Sequence, residues 1–271
     1  GLRVDIPIYL DKPMENTDFN NSILAKQYNV QTNRMPSAPL MFSPRIGFNW
    51  DVNRDRSTIV RGGMGIFTSR VPFVWAAGAF TQSGALLGGN SLGNGTDANV
   101  PFISDVNKLP KYDGAVTPSG NITVLDKNLK LPQIARFSGG VDQVLPYGIK
   151  GTLEFIYSKN LSAFNFSDLN LERPIGTLEG ADNRIVYDAN NNNRRVLDNY
   201  TEVIYVNNVN KGYSWSTTAS LYKSFLFGLD ASVAYTYTAA KDLISGTSSQ
   251  NQSNWYRVAS VNGSNNVTLA H

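Results

Sequence analysis

"FSPRIGFNWDVNRDRSTIVRGGMGIF", residues 42–67, decides the fold. In its first half Phe42, Pro44, Ile46, Phe48 and Trp50 alternate with Ser43, Arg45, Gly47, Asn49 and Asp51. In its second half Val60, Met64 and Ile66 lie on one side and Arg61, Gly63 and Gly65 on the other, with Phe67 as an exception. A period of two marks a β-strand with one oily and one polar face. "NRDRS" between the halves reads as a hairpin turn. A protein core and a lipid bilayer leave the same local pattern, so the rest of the chain has to say which of them the oily face meets.

The pattern recurs. In residues 212–240, Tyr213, Trp215, Thr217, Ala219 and Leu221 oppose Ser214, Ser216, Thr218, Ser220 and Ser224. After a turn at Phe225 to Gly228, Leu229, Ala231, Val233, Tyr235 and Tyr237 oppose Asp230, Ser232, Thr236 and Thr238. A third hairpin turns at Pro146-Tyr147-Gly148, and Leu2, Val4, Ile6 and Ile8 against Arg3 and Asp5 give one more strand. About seven strands result, most near the ~9 to 11 residues that cross a bilayer at ~45° tilt.

The connections alternate in length. Turns within the hairpins are a few residues long, whereas residues 10–41, 69–133, 161–210 and 241–271 form long connections rich in Asn, Gly and Ser. Loops beyond ~12 to 15 residues are uncommon in compact soluble domains, but outer-membrane barrels put short turns on the periplasmic side and long loops outside. The aromatics agree. Phe225 and Phe227 sit at a short turn, Tyr213, Trp215, Tyr235 and Tyr237 toward the long-loop ends, and Trp50 completes the candidate set of membrane-interface aromatics. The expected fold is therefore all-β, an antiparallel transmembrane β-barrel segment whose oily face meets lipid and whose polar face lines a lumen.

Composition narrows the function. With 41% hydrophobic residues the 271-residue chain is not disordered, and no run approaches the ~18 to 20 apolar residues of a membrane helix. A net charge of +3, spread along the chain, gives no nucleic-acid footprint. There is no cysteine, and the one histidine, His271, supports neither a histidine triad nor a multi-histidine zinc site. "GGMG" lacks the strand-to-helix setting of a phosphate loop, a single "GGNSLGNGTDAN" reads as a loop, and "YDANNNNRR" does not have EF-hand spacing. Neither an enzyme constellation nor a cofactor or metal site emerges.

The segments 42–67, "TSRVPFVW", "LPYGIKGTLEFIYSK", "NKGYSWSTTASLYKSFLFGLDASVAYTYTAAKD" and "GTSSQNQSNW" together resemble the barrel region of TonB-dependent receptors, most closely the Oar-like group. The resemblance implies a Gram-negative outer-membrane receptor with about 22 strands closed by a plug. Such a receptor binds an extracellular substrate and imports it with energy passed through the TonB complex. The chain opens directly in strand pattern, without signal peptide, plug or TonB box, so residues 1–271 read as an internal to C-proximal part of that barrel domain. On this reading Arg45, Arg61, Arg136, Glu154 and Asp230 face the lumen and contact the plug or pair with neighbouring strands. Arg70, Phe73, Trp75, Trp255 and Tyr256 are loop candidates for ligand contact, against the plainer reading that they pack loops or mark the membrane interface. Two rivals share the strand pattern: a plug-less porin or adhesin barrel, and a secreted carbohydrate-binding module with Trp75 or Trp215 as sugar platform and Asn121 and Asn199 as glycosylation acceptors.

Overall fold

The computed structural model describes residues 1–85, 103–108, 120–187, 195–244, 246–257, 262–266 and 268–269. The Gly-rich stretch 88–99, most of "YDANNNNRR" and His271 lie outside them. Among the described residues there are eleven strands: β1 (Leu2–Asp5), β2 (Met41–Asp51), β3 (Thr58–Thr68), β4 (Gly120–Leu125), β5 (Gln133–Val144), β6 (Lys150–Asp168), β7 (Gly176–Thr177), β8 (Ile185–Val186), β9 (Tyr200–Val209), β10 (Tyr213–Ser224) and β11 (Asp230–Lys241). The α-helices are α1 (Thr17–Asn20), α2 (Ile23–Tyr28), α3 (Phe73–Thr81) and α4 (Asn251–Tyr256). None is long and apolar enough to cross a membrane.

Seven strands form one antiparallel sheet in the order β1-β2-β3-β5-β6-β10-β11, the expected hairpins laid side by side. Its register carries the period of two across the whole width. Phe48, Gly62, Gly139, Phe155, Thr217 and Tyr237 form one continuous row, and Trp50, Val60, Val141, Leu153, Ala219 and Tyr235 the next on the same face. The opposite face carries Asn49, Arg61, Gly140, Glu154, Thr218 and Thr236 in one row and Arg45, Gly65, Arg136, Ser158 and Ser214 in another. A one-residue slip at any ladder would mix the two faces, so the pattern fixes the register.

Among the described residues nothing covers the oily face. Ile46, Trp50, Met64, Val233 and Tyr235 are exposed, Tyr235 to 71%. A contiguous apolar sheet of this size left in water would be an aggregation surface, whereas hydrocarbon satisfies it without a second protein layer. Glycines on this face let neighbours lie flat: a Cβ on Gly62 would stand 2.9 Å from the Phe48 ring that crosses it.

The short connections are built for tightness. Asp51 accepts the Arg56 backbone N–H at 3.0 Å across the β2–β3 turn, in which Arg54 and Arg56 take left-handed backbone. Tyr147 and Gly148 do the same between β5 and β6, and Gly228, at φ 90°, closes the β10–β11 turn.

The long connections are not the plain loops their composition suggests. They fold into a cap at one end of the sheet, holding all four helices together with β4 and β9. β6 runs for 19 residues, and its upper part, Ala163 to Asp168, leaves the barrel sheet to pair with β9, which pairs in parallel with β4. This pair is buried on both faces. Ile122, Val124 and Val203 pack against Phe19, Leu24 and Ala25 of α1 and α2. Leu125, Ile204 and Val206 pack with Ala79 of α3, Trp255 of α4 and Phe166. Asn16 and Ser22 cap α1 and α2, their side chains accepting from Phe19 and Ala25 N–H. Among the described residues, the buried hydrophobic clusters of the molecule lie in this cap.

Candidate functional site

The polar face concentrates its charge on β2, β3, β5 and β6. Arg61 bridges two carboxylates: its Nε donates to Asp142 Oδ2 at 3.0 Å and its Nη2 lies 2.8 Å from Glu154 Oε2. Thr152 Oγ1 donates to the other Asp142 oxygen at 2.8 Å. Gly140, between Arg61 and Glu154 in the row, makes this reach possible, since a Cβ there would stand 3.4 Å from the Arg61 guanidinium carbon. For Arg61 and Glu154 the plainer expectation, pairing between neighbouring strands, describes the geometry. All three side chains are about one-third exposed, so the bridge fixes their orientation more than it stabilises the sheet. Asp142 was not singled out from the sequence, although it lies two, four and six residues beyond Gly140, Ser138 and Arg136 on the same face.

Arg45 accounts for the aromatic side chain on the polar face of β3. Its guanidinium carbon stands 4.4 Å above the Phe67 ring, so an aromatic on the polar face serves as a cation–π platform. Arg45 and Arg136 flank Gly65 and make no carboxylate contact among the described residues. With Gly63, Ser138 and Glu154 they border a concavity of about 500 Å³. Asp230 sits at the short-turn end and accepts the Tyr222 hydroxyl at 3.0 Å.

The interface aromatics gather in two groups. Trp215 lies 5.3 Å from Tyr237 and 6.4 Å from Phe155, and Tyr213 stacks on Tyr157 at 6.5 Å. At the other end Phe225 and Phe227 are 5.3 Å apart, with Lys223 over Phe225. Trp50 belongs with this second group, because it immediately precedes the short β2–β3 turn. Tyr235 belongs to neither group: expected toward the long-loop end, it is the sixth of the twelve residues of β11 and stands in mid-strand on the oily face.

The five loop candidates separate. Trp255 is 6% exposed, with its indole N–H donated to Asn265 at 2.9 Å. Trp75 packs between Phe164 and Phe166 and donates its N–H to Ser248 O at 2.7 Å. Tyr256 gives its hydroxyl to Glu202. These three hold the cap together, the packing role weighed against ligand contact in the sequence. Phe73, 87% exposed, and Arg70 remain outward, and with Trp75 they border a cleft of about 720 Å³ between the cap and the chain that continues β1.

Within the cap lies a buried carboxylate. Asp168 Oδ1 accepts the backbone N–H groups of Asn170 and Val203 at 2.9 and 2.8 Å. Burial nonetheless dominates and, helped by nearby Glu202, pushes its pKa up to about 6 against two opposing backbone bonds. A carboxyl whose folded pKa exceeds its unfolded one binds more protons in the folded state, so stability declines as pH rises from about 4 to about 6 and is flat above. The ceiling is on the order of 3 kcal/mol. Asp168→Asn keeps an oxygen for both N–H groups and removes the charge. In the full-length protein, melting of the cap followed by tryptophan fluorescence is expected to fall between pH 4 and 6 for the wild type and to be flat for the variant. A parallel pH response in the two proteins would refute this account.

A two-faced sheet with an uncovered oily side, a charged inner side and a cap at one end defines a transmembrane β-barrel wall. Residues 1–271 match the family described as outer membrane beta barrel domain, and the chain belongs to that family. It resides in the outer membrane and contacts the bilayer. No curated protein matches it. Among solved structures it is similar to the outer membrane transporter YddB from Escherichia coli, at 13% identity and TM-score 0.42, over 77% of this chain and 21% of that one. It is also similar to a mutant of the ferric enterobactin receptor PfeA from Pseudomonas aeruginosa, at 12% identity and TM-score 0.41, over 73% of this chain and 22% of that one. The chain thus spans about one-fifth of the length of these two proteins.

Proposed function

We propose that this chain is one sector of a plugged, TonB-dependent outer-membrane receptor of about 22 strands, of the Oar-like kind, which binds an extracellular substrate and imports it with energy from the inner membrane. The observation that carries the reading is the uneven inner face. Arg45 and Arg136, which make no carboxylate contact among the described residues, stand beside this concavity, which suits a polar protein segment seated against the wall. Arg61, Glu154 and Asp230 complete the face such a plug would meet. β10 and β11 present Ser214, Ser216, Thr218, Ser220, Thr236 and Thr238 on that face, which suits a water-filled channel equally well, and this is the observation that favours a plug-less porin.

One experiment separates the two. The full-length protein is reconstituted in a planar bilayer and passed in parallel over immobilised periplasmic domain of TonB. A plugged receptor is expected to be silent until mild denaturant displaces the plug, and to be retained by TonB. Steady conductance without denaturant together with no retention would sink the receptor reading and leave the porin.

A further inference from the structure

The oily face of the seven-strand sheet carries three charged side chains, and all three are lysines: Lys159, Lys223 and Lys241. No aspartate or glutamate of these strands stands on it. Lys223 lies at the short-turn end, its ammonium 4.8 Å from the centre of the Phe225 ring. Lys159 and Lys241 lie at the cap end, where Ile66, Ala135, Lys159, Tyr213 and Lys241 form one row across the sheet. From Tyr213 to Lys223 the strand β10 rises ~34 Å at ~3.4 Å per residue, which at ~40° tilt is ~26 Å along the membrane normal, the height of the ~25 Å apolar band of such barrels. The lysines therefore mark its two edges. Outer-membrane barrels carry their long connections outside, so Lys159 and Lys241 stand at the headgroups of the outer leaflet.

A single lysine at this level would do no more than extend its ammonium to water. This pair differs in two respects. Tyr213 lies between the two lysines in the row, so their Cα atoms are two strand spacings apart, ~9.6 Å, a gap that two flexible four-carbon stems can close around one anion. Among the described residues neither has a carboxylate within ion-pair distance or, as Lys223 has, an aromatic ring beneath it. The second respect is shape. An apolar groove of about 440 Å³ opens on the same face beside Lys159, between Ile46, Met64 and Ile66 on one side and Phe137 and Tyr157 on the other. Ala135, the row neighbour of Lys159, is the small side chain that leaves it open.

We propose that Lys159 and Lys241 clasp a phosphate of lipid A, the phosphorylated and acylated glycolipid of the outer leaflet, with one of its acyl chains lying in the groove over Ala135. The phosphate takes charge-assisted N–H bonds from both ammonium groups at the edge of the hydrocarbon, where such bonds gain more than they do in water. A zwitterionic headgroup brings an ammonium of its own to the same place and loses that advantage. The assignment rests on the lipid-facing side of the sheet and on neither plug nor TonB, so it holds for a receptor and for a porin alike.

The test titrates full-length protein in detergent with lipid A, and in parallel with the same glycolipid stripped of its phosphates, and reads bound lipid by native mass spectrometry. Wild type is expected to bind lipid A at least tenfold more tightly than the stripped form. Lys159→Gln and Lys241→Gln together are expected to bring lipid A down to the affinity of the stripped form, whereas Lys223→Gln, at the other edge of the band, leaves it unchanged. Ala135→Trp, which fills the groove, is expected to weaken both forms. Excess inorganic phosphate is expected to leave lipid A bound. Migration of each variant as a heat-modifiable barrel shows that it has assembled. Equal affinity of wild type for the two forms, full affinity in the double lysine variant, or an equal loss with Lys223→Gln would overturn the proposal. Displacement of lipid A by inorganic phosphate, or full affinity in Ala135→Trp, would overturn it too, since the groove would then hold no chain.

Discussion

Phe166→Ala is expected to unfold the cap while leaving the barrel wall intact. Phe166 is 2% exposed, stands edge-on to Trp75 at 5.5 Å and shares its cluster with Leu125, Ile204, Val206 and Trp255. Truncating a buried phenylalanine costs about 3–5 kcal/mol through lost transfer energy and the cavity left behind. That is a large share of what so small a layered unit can hold. The outward side chains of the membrane sheet draw their stabilisation from lipid instead, and Phe166 makes no part of that surface. Limited trypsin digestion of the full-length protein in native membranes is expected to cleave the variant within the cap at least tenfold faster, with the heat-modifiable mobility of the barrel retained. Loss of both together would mean that cap and wall fold as one unit.

The second large effect lies on the other side of the chemistry. Val233→Arg is expected to impair outer-membrane assembly by roughly 2–4 kcal/mol, as for a charge placed near the bilayer midplane on the lipid face. Val233 is 64% exposed and pairs with Leu221 on the oily face. Ser232, its immediate neighbour, pairs with Tyr222 on the pore face, and Ser232→Arg is expected to assemble with a much smaller deficit. The folded fraction of each variant, read from urea-titrated refolding into lipid vesicles, checks the contrast. Adjacent residues differ here only in which medium they meet, so equal tolerance would remove the basis for assigning the faces.

What the sequence made legible follows from which surroundings impose a period. Lipid on one side and water on the other force strict alternation, and the stretch 42–67 and the hairpin 212–240 can be read almost residue by residue into their observed ladders. β4 and β9 are buried on both faces, so "NITVL" and "VIYV" show short apolar runs with no alternation, and they passed as loop. The upper part of β6 does alternate, Phe164 and Phe166 against Asn165 and Ser167, but its apolar side meets a core assembled from segments far away in sequence, and nothing local ties it to the long strand below. Trp75 and Trp255 illustrate the limit for sites. Exposed aromatics in a Ser- and Asn-rich segment resemble recognition groups until the partners that bury them, Phe164 and Asn265, are brought up by the fold.

The most direct measurement is a single-cysteine spin-label scan along β11 in the full-length protein in bilayers, a strand in which nature has placed no cysteine. Labels at Ala231, Val233, Tyr235 and Tyr237 are predicted to be relaxed by oxygen and shielded from a water-soluble nickel chelate, with the opposite preference at Ser232, Ala234, Thr236 and Thr238. Labels at the oily positions that are reached by the nickel chelate, or by neither agent, would contradict the account, because those side chains would then face water or a protein core.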